Sequence, residues 1–292
     1  MQTRILKSDI LLFLAATIWG FAFVAQRIGM EYLGPFVFNG IRFGLGSLTL
    51  LPFVLWSHRK RAVPQAELKS HLGWKLLAGV VLWLAATLQQ IGVVYTTAGK
   101  AGFITGLYVV IVPLLGLLLR EQIRRHQWLA VFLAASGMYL LSVRNGFRIQ
   151  IGDLLVFIAA IFWAAHVHFI GWLSPRSNPF RLAALQYAVV SLLSLLLGLI
   201  FEEFHLPAIR QALWPILYGG VMSVGIGFTM QVVAQREAPP THVAILLSLE
   251  TVVAVFGGWL LLSEVLSARE LLGCALVLAA MLTAQLQRAK GS

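Results

Sequence analysis

Glu250 is a single carboxylate inside an unbroken apolar stretch, His242–Leu262. If that stretch crosses a bilayer, a central Asp or Glu costs about 2.5–3.5 kcal/mol on insertion scales and more if unpaired. Three arrangements offset the cost: protonation, pairing with Arg42, or exposure to a water-filled cavity. The functional reading is a proton-coupling or cation-contacting carboxylate, and the structural one is a bond that fixes helix packing. Arg42 lies roughly 10 Å inside the outer end of another apolar run, at 1.5 Å per residue. From there it either snorkels outward, holding loop carbonyls or a carboxylate, or receives an anionic group in an outer vestibule, where its planar fork matches a carboxylate.

Trp19 and Trp163 sit mid-run, and a pair of indole faces could hold an aromatic group or a cation. His166 and His168 are two residues apart, about 200° around a helix, so they cannot face one cavity and a two-His metal site is not expected. His166 follows Trp163 by three and shares its face, which suits substrate contact or proton handling. Gln89, Gln90, Tyr95, Tyr108 and Gln231 add uncharged hydrogen-bonding groups at depth, with Gln26 and Asn39 nearer the outer end. Together they describe an amphiphilic cavity. Glu121 and Glu264 are expected at helix ends, paired with Arg124 or Arg125 and with Arg269.

The elements that carry these groups follow from composition. Of 292 residues, 59% are hydrophobic and only 11% charged, and the mean hydropathy is +0.86. That excludes a cytosolic enzyme, a disordered chain and a disulfide scaffold. Ten runs approach the roughly 20 apolar residues a spanning helix needs: Ile10–Ile28, Phe36–Trp56, Trp74–Tyr95, Gly99–Leu119, Trp128–Val143, Leu154–Leu173, Arg181–Phe201, Trp214–Ala234, His242–Leu262 and Leu271–Leu286. Their amides must be paired within each segment, so the runs become helices. The first run has no small-x-small cleavage site and reads as a retained span. The only cysteine, Cys274, is in the tenth run, so no disulfide can form within the chain.

The net charge of +11 is distributed as membrane topology rather than as a nucleic-acid face. With the N-terminus in the cytoplasm, 15 Lys and Arg fall on the cytoplasmic side and 6 on the other. This bias predicts both termini in the cytoplasm, which requires an even number of spans.

The chain also resembles itself. Asp9–Trp19 aligns with Asp153–Trp163 at an offset of 144, with six of eleven positions identical. Pro35-Phe36 pairs with Pro179-Phe180 at the same offset, Glu121 pairs with Glu264 one residue less, and Arg42 falls opposite Gln186. Two repeats, 1–148 and 149–292, each of five spans, would enter the membrane in opposite senses. The expected fold is therefore an all-α membrane protein of ten transmembrane helices in two inverted five-helix repeats, an architecture of transporters.

These features resemble the EamA branch of the drug/metabolite transporter superfamily: the doubled Trp-containing first helix, Pro35…Arg42, Thr97–Tyr108 and Pro239–Glu250. The resemblance implies a secondary transporter of the bacterial inner membrane that exports a small amphiphilic metabolite, such as an amino acid, by alternating access. A multidrug exporter of hydrophobic cations coupled to protons is the other reading. Family members often carry Pro directly after the intramembrane Glu, where this chain has Thr251, which puts the helix break expected there in question.

The expected substrate cavity comprises Trp19, Gln89, Gln90, Tyr108, Trp163, His166, Gln231 and Glu250, with Arg42 as a vestibule or structural charge. No Walker loop, nucleophile elbow or metal constellation is present in the sequence, so neither an enzyme nor a cofactor or metal is expected. The expected partners are a small-molecule substrate, the lipid bilayer and protons, without nucleic acid. A monomer and a homodimer both remain open.

Overall fold

The computed structural model describes residues 2–60, 71–96, 98–142, 150–203, 205–262 and 267–290. Among them every regular element is helical, as expected of apolar runs that can pair their amides only within themselves. In chain order the helices are α1 (Gln2–Gly29), α2 (Pro35–Lys60), α3 (Leu72–Tyr95), α4 (Ala98–Gly106), α5 (Tyr108–Leu118), α6 (Arg125–Ser142), α7 (Ile151–Leu173) and α8 (Pro179–Phe201). After the short α9 (Leu206–Gln211) come α10 (Leu213–Leu217), a π-helical segment (Tyr218–Phe228), α11 (Thr229–Ala234), α12 (Pro240–Leu247), α13 (Leu249–Leu262) and α14 (Ala268–Lys290).

Among the described residues seven helical stretches are long and apolar enough to cross a membrane: Ile5–Gly29, Pro35–Trp56, Leu72–Tyr95, Ala101–Leu118, Ile151–Arg176, Pro179–Phe201 and Leu213–Ala234. Three shorter apolar stretches, Gln127–Gly137, Pro240–Ala254 and Leu271–Ala280, lie where the fifth, ninth and tenth spans are expected. The ninth is interrupted at Ser248, two residues before Glu250, where the backbone keeps a right-handed helical conformation (φ −58°, ψ −16°). This one-residue interruption is present without the proline.

Large apolar side chains project outward along the bundle, among them Leu118 at 80%, Phe201 at 70% and Phe132 at 68% exposure. Lipid covers such a surface at no cost, whereas water does not. Inside, α2 packs along α8, α3 along α7, and α6 along α14, while α1 runs against α13 and the π-helical segment.

Glycines permit several of these approaches. A Cβ at Gly92 would come within 2.8 Å of the Gly152 carbonyl oxygen, and one at Gly152 within 2.7 Å of the Gly92 oxygen. The small residues of α2 face α8, where Ser191 donates to the Gly40 carbonyl at 2.8 Å. Gly102 of α4 meets Ala254 of α13.

The junction between residues 148 and 149, Glu264 with its pairing to Arg269, and the charges at 61, 69, 144 and 148 lie outside the described residues, as does the side chain of Lys100. Two expectations are corrected. Tyr95 is at the exposed end of α3, 56% accessible, and not at depth. Glu121 takes His168 as its partner, Nδ1 to Oε1 at 3.2 Å, because α7 packs against α5 and brings the ring to the loop that follows it.

Candidate functional site

Three broken or irregular helical stretches (α4–α5, the π-helical segment with α11, and α12–α13) meet α1, α2, α3 and α7 around one partly enclosed cavity of about 50 Å3. A water occupies roughly 10–15 Å3 on this measure, so there is room for a few waters. A substrate of metabolite size needs the helices to separate first.

The wall is built from both halves of the chain. Trp19 and Gln26 come from α1, Arg42 from α2, Gln89 from α3 and Trp163 from α7. Tyr108 is the first residue of α5, one residue past the interruption at Leu107. Glu250 stands in the first turn of α13, just past the interruption at Ser248. Interrupted helices thus place a phenol and a carboxyl at the start of their second segments.

The two charged groups face the same space without meeting. Arg42 is 2% exposed and Glu250 3% exposed. The Arg42 Nε donates to Asn39 Oδ1 at 2.9 Å, and its guanidinium lies 5.0 Å from the Phe43 ring centroid and 5.5 Å from that of Phe38. Asn39 is itself held by the Ala86 carbonyl, to which its Nδ2 donates at 3.1 Å. Arg42 therefore does not snorkel to the outer surface, because Asn39 and two phenyl rings turn it inward. Glu250 Oε1 and Tyr108 Oη are both buried beside each other, and neither has another hydrogen-bond partner among the described residues. No Arg42–Glu250 ion pair forms.

Two separate sets of amide hydrogen bonds border the cavity. Gln89 Nε2 donates to Gln26 Oε1 at 3.2 Å, while Gln89 Oε1 accepts from Trp163 Nε1 at 2.8 Å and from Thr105 Oγ1 at 3.3 Å. Gln231 donates to Gln235 Oε1 at 2.9 Å, and Gln235 in turn to the Val167 carbonyl at 2.8 Å. Trp19 Nε1 donates to the Ser223 carbonyl at 3.2 Å. The ring of Phe228 contacts both tryptophans, with centroids 4.4 Å from Trp19 and 5.5 Å from Trp163.

Trp19, Gln89, Tyr108, Trp163, Gln231 and Glu250 all line the cavity, and so does Arg42. Two expected residues do not. Gln90 points toward the backbone of α1, with Nε2 3.5 Å from the Gln26 carbonyl. His166 is behind Trp163 and bonds Gln186 Oε1 at 2.7 Å. His168, as its helical angle requires, points elsewhere and bonds the Val112 carbonyl at 2.9 Å. Thr105, Ser223 and Phe228 are lining residues that the sequence reading missed. A faint signal for Phe228 and Ser223 was present: Tyr218–Phe228 carries four glycines in eleven residues. Among the described residues no cluster of three or more His, Cys, Asp and Glu side chains could hold a metal ion.

The model of the EamA-like transporter family matches residues 6–143 and again 150–284. An uncharacterized transporter of Archaeoglobus fulgidus is 31% identical over 284 residues, covering 97% of this chain and 87% of the relative. The uncharacterized transporter YoaV of Bacillus subtilis is 23% identical, covering 89% of this chain and 90% of its own. A riboflavin transporter of Vibrio cholerae is 23% identical, covering 81% and 78%. A crystal structure of 18% identity aligns over 96% of both chains with a TM-score of 0.78, which shows a shared fold.

Proposed function

Because the chain belongs to the EamA-like transporter family and is a multi-pass membrane protein, we propose that it is a secondary transporter. In this reading it exports a small amphiphilic metabolite, such as an amino acid or related compound, across the bacterial inner membrane. The observation that carries it is the buried cavity in which Arg42 and Glu250 face a common space unpaired. Burying a guanidinium and a carboxyl group without an ion pair between them is costly, and a substrate bearing an anionic and a cationic or donor group offsets that cost. The carboxylate of such a substrate meets the Arg42 fork. Its ammonium or donor meets Glu250 and Tyr108, and its body lies along the tryptophans and the bordering amides.

Alternating access is the mechanism proposed. The two stretches matched by the family model begin at 6 and 150, the same offset of 144 that aligns Asp9–Trp19 with Asp153–Trp163. Interruptions at Leu107 and Ser248 recur in the fourth and ninth spans. These features support ten helices in two inverted repeats, 1–148 and 149–292, with both termini in the cytoplasm. The repeats rock about the cavity and expose it to one face at a time. Glu250 is the proposed proton-coupling carboxylate, and no enzymatic step is assigned.

The test is counterflow in proteoliposomes loaded with amino acids, nucleosides, riboflavin or cationic dyes. The proposal requires accelerated exchange of one amphiphile that Arg42→Ala and Glu250→Gln each abolish. Exchange that both variants sustain at the wild-type rate rejects it. The two indole faces beside a carboxylate also favour hydrophobic organic cations. Loss of quaternary ammonium transport in Glu250→Gln, with Arg42→Ala unaffected, selects that second reading.

A further inference from the structure

We propose that Phe228 is a displaceable plug in a slot for a planar ring, and that a flat aromatic or heteroaromatic portion of the substrate takes its place between Trp19 and Trp163. This inference rests on the transport reading above and gives the substrate class of that site. Trp19 and Trp163 occupy matching positions in the two aligned segments, at an offset of 144. The two indoles make no ring contact with each other among the described residues. Phe228 joins them: its ring lies nearly parallel to that of Trp163, 15° between planes, and tilted 49° to that of Trp19. The rings of Phe43 and Tyr187 approach it at 6.0 and 6.4 Å. An aromatic side chain thus fills the place where the cavity would otherwise offer two indole faces. It is also why only about 50 Å3 remains open.

The chain carries a device for withdrawing the plug. Phe228 ends the eleven-residue π-helical segment Tyr218–Phe228. A π-helix is rare and usually short, and its insertions recur at functional sites. Converting one wide turn to α geometry shifts everything beyond it by one position, about 100° of rotation. Gly219, Gly220, Gly225 and Gly227 make that change inexpensive, since none has a side chain to repack. Gly227 lies directly against the indole of Trp19, where a Cβ would come within 2.7 Å of Nε1.

Polar groups define the edge of the ligand. Trp163 Nε1 and Gln89 Oε1 already bond each other beside the slot at 2.8 Å. Tyr108 Oη and Glu250 Oε1 are buried beside each other with no further hydrogen-bond partner among the described residues, so a ring that enters meets them with a polar edge. A flat ring with polar edges fits this better than a puckered one of equal volume, because two aromatic faces bind a plane.

The test measures equilibrium binding to the purified full chain in nanodiscs, with L-tryptophan and adenosine as flat-ring probes and L-cyclohexylalanine as the puckered control. Removing the plug in Phe228→Ala is expected to tighten at least one flat probe by roughly tenfold or more, since its ring no longer displaces an aromatic neighbour. The puckered control gains less. Adding Trp19→Leu to Phe228→Ala cancels the gain, and Phe228→Trp, which overfills the slot, weakens flat probes below wild type. Thermal unfolding and Phe228→Leu, which keeps bulk without a plane, control for damage to the fold. The plug is disproved if Phe228→Ala leaves every flat probe unchanged or tightens flat and puckered probes alike. Counterflow separates this outcome from failure of the transport reading. Exchange that persists with no effect at position 228 removes only the slot, and slot binding without any exchange removes only transport.

Discussion

His242 Nε2 and Asp9 Oδ1 lie 2.8 Å apart, joining the start of α12 to the first third of α1 across 233 residues of sequence. Its counterpart is the bond from Thr96 Oγ1 to Asp153 Oδ1, 2.6 Å, at the start of α7. Asp9 and Asp153 are the charged residues that align at an offset of 144, and each ties the approach to an interrupted helix. A buried hydrogen bond to a charged group is worth about 1.5–3 kcal/mol. His242→Ala and Asp9→Asn should each lower the melting temperature in detergent, and the double variant should fall by much less than the two losses combined. Additive losses would show that the pair is not coupled.

Glu202, just after α8, is the N-terminal anchor of α2. Its Oε1 accepts from Phe36 N at 2.9 Å and its Oε2 from Val37 N at 2.8 Å. A carboxylate here satisfies two amides that the helix cannot pair and meets the positive end of its dipole. Glu202→Ala is expected to cost about 2–3 kcal/mol, and Glu202→Gln less, measured by thermal unfolding. Gly34→Ala should destabilise as well, because its Cβ would fall on the Glu202 carboxylate.

Glu250→Gln keeps the shape of the cavity and removes the ionisable group. Transport is expected to drop at least roughly tenfold, the scale of one lost charged hydrogen bond. The remaining rate should lose its dependence on an imposed pH gradient. Unchanged rate and unchanged gradient dependence would show that Glu250 has no part in coupling. Arg42→Lys keeps the charge but not the bidentate fork, so it should raise KM for a carboxylate-bearing substrate while leaving folding intact.

Gly92 and Gly152 bring α3 and α7 into backbone contact. Ala at either position places a methyl carbon less than 3 Å from the partner's carbonyl oxygen, and overpacking of this kind costs about 1–3 kcal/mol. Gly92→Ala should reduce thermal stability. Since α3 carries Gln89 and α7 carries Trp163, whose side chains bond at 2.8 Å, the same variant should raise KM. Gly73→Ala, where a Cβ meets nothing within 4 Å, should do neither.

Much of the site was legible because it violates its surroundings. Glu250 and Arg42 stand out in apolar runs, and the two tryptophans stand out by recurring at one offset. Phe228 could not be found that way, since one more phenylalanine in a hydrophobic run looks like lipid-facing surface. His166 shared a helical face with Trp163 and still points away from the cavity, because Gln186 of α8 captures its Nε2. The inward turn of Arg42 depended equally on Asn39 Oδ1, three residues back, whose amide is in turn held by Ala86.

The amino-acid sequence determined that the chain is helical and lives in lipid, since apolar runs can satisfy their amides there in no other way. It also determined which polar residues must be buried, since few interrupt those runs. Tertiary structure alone decided which of them converge, which helices break, and that an aromatic ring stands between Trp19 and Trp163. The reason is that in a bilayer the lipid-facing and the protein-facing sides of a helix are both apolar. Hydrophobic periodicity, which separates inside from outside in water, says little there about which face meets which neighbour, and that is settled by the fit of small residues and the few buried hydrogen bonds.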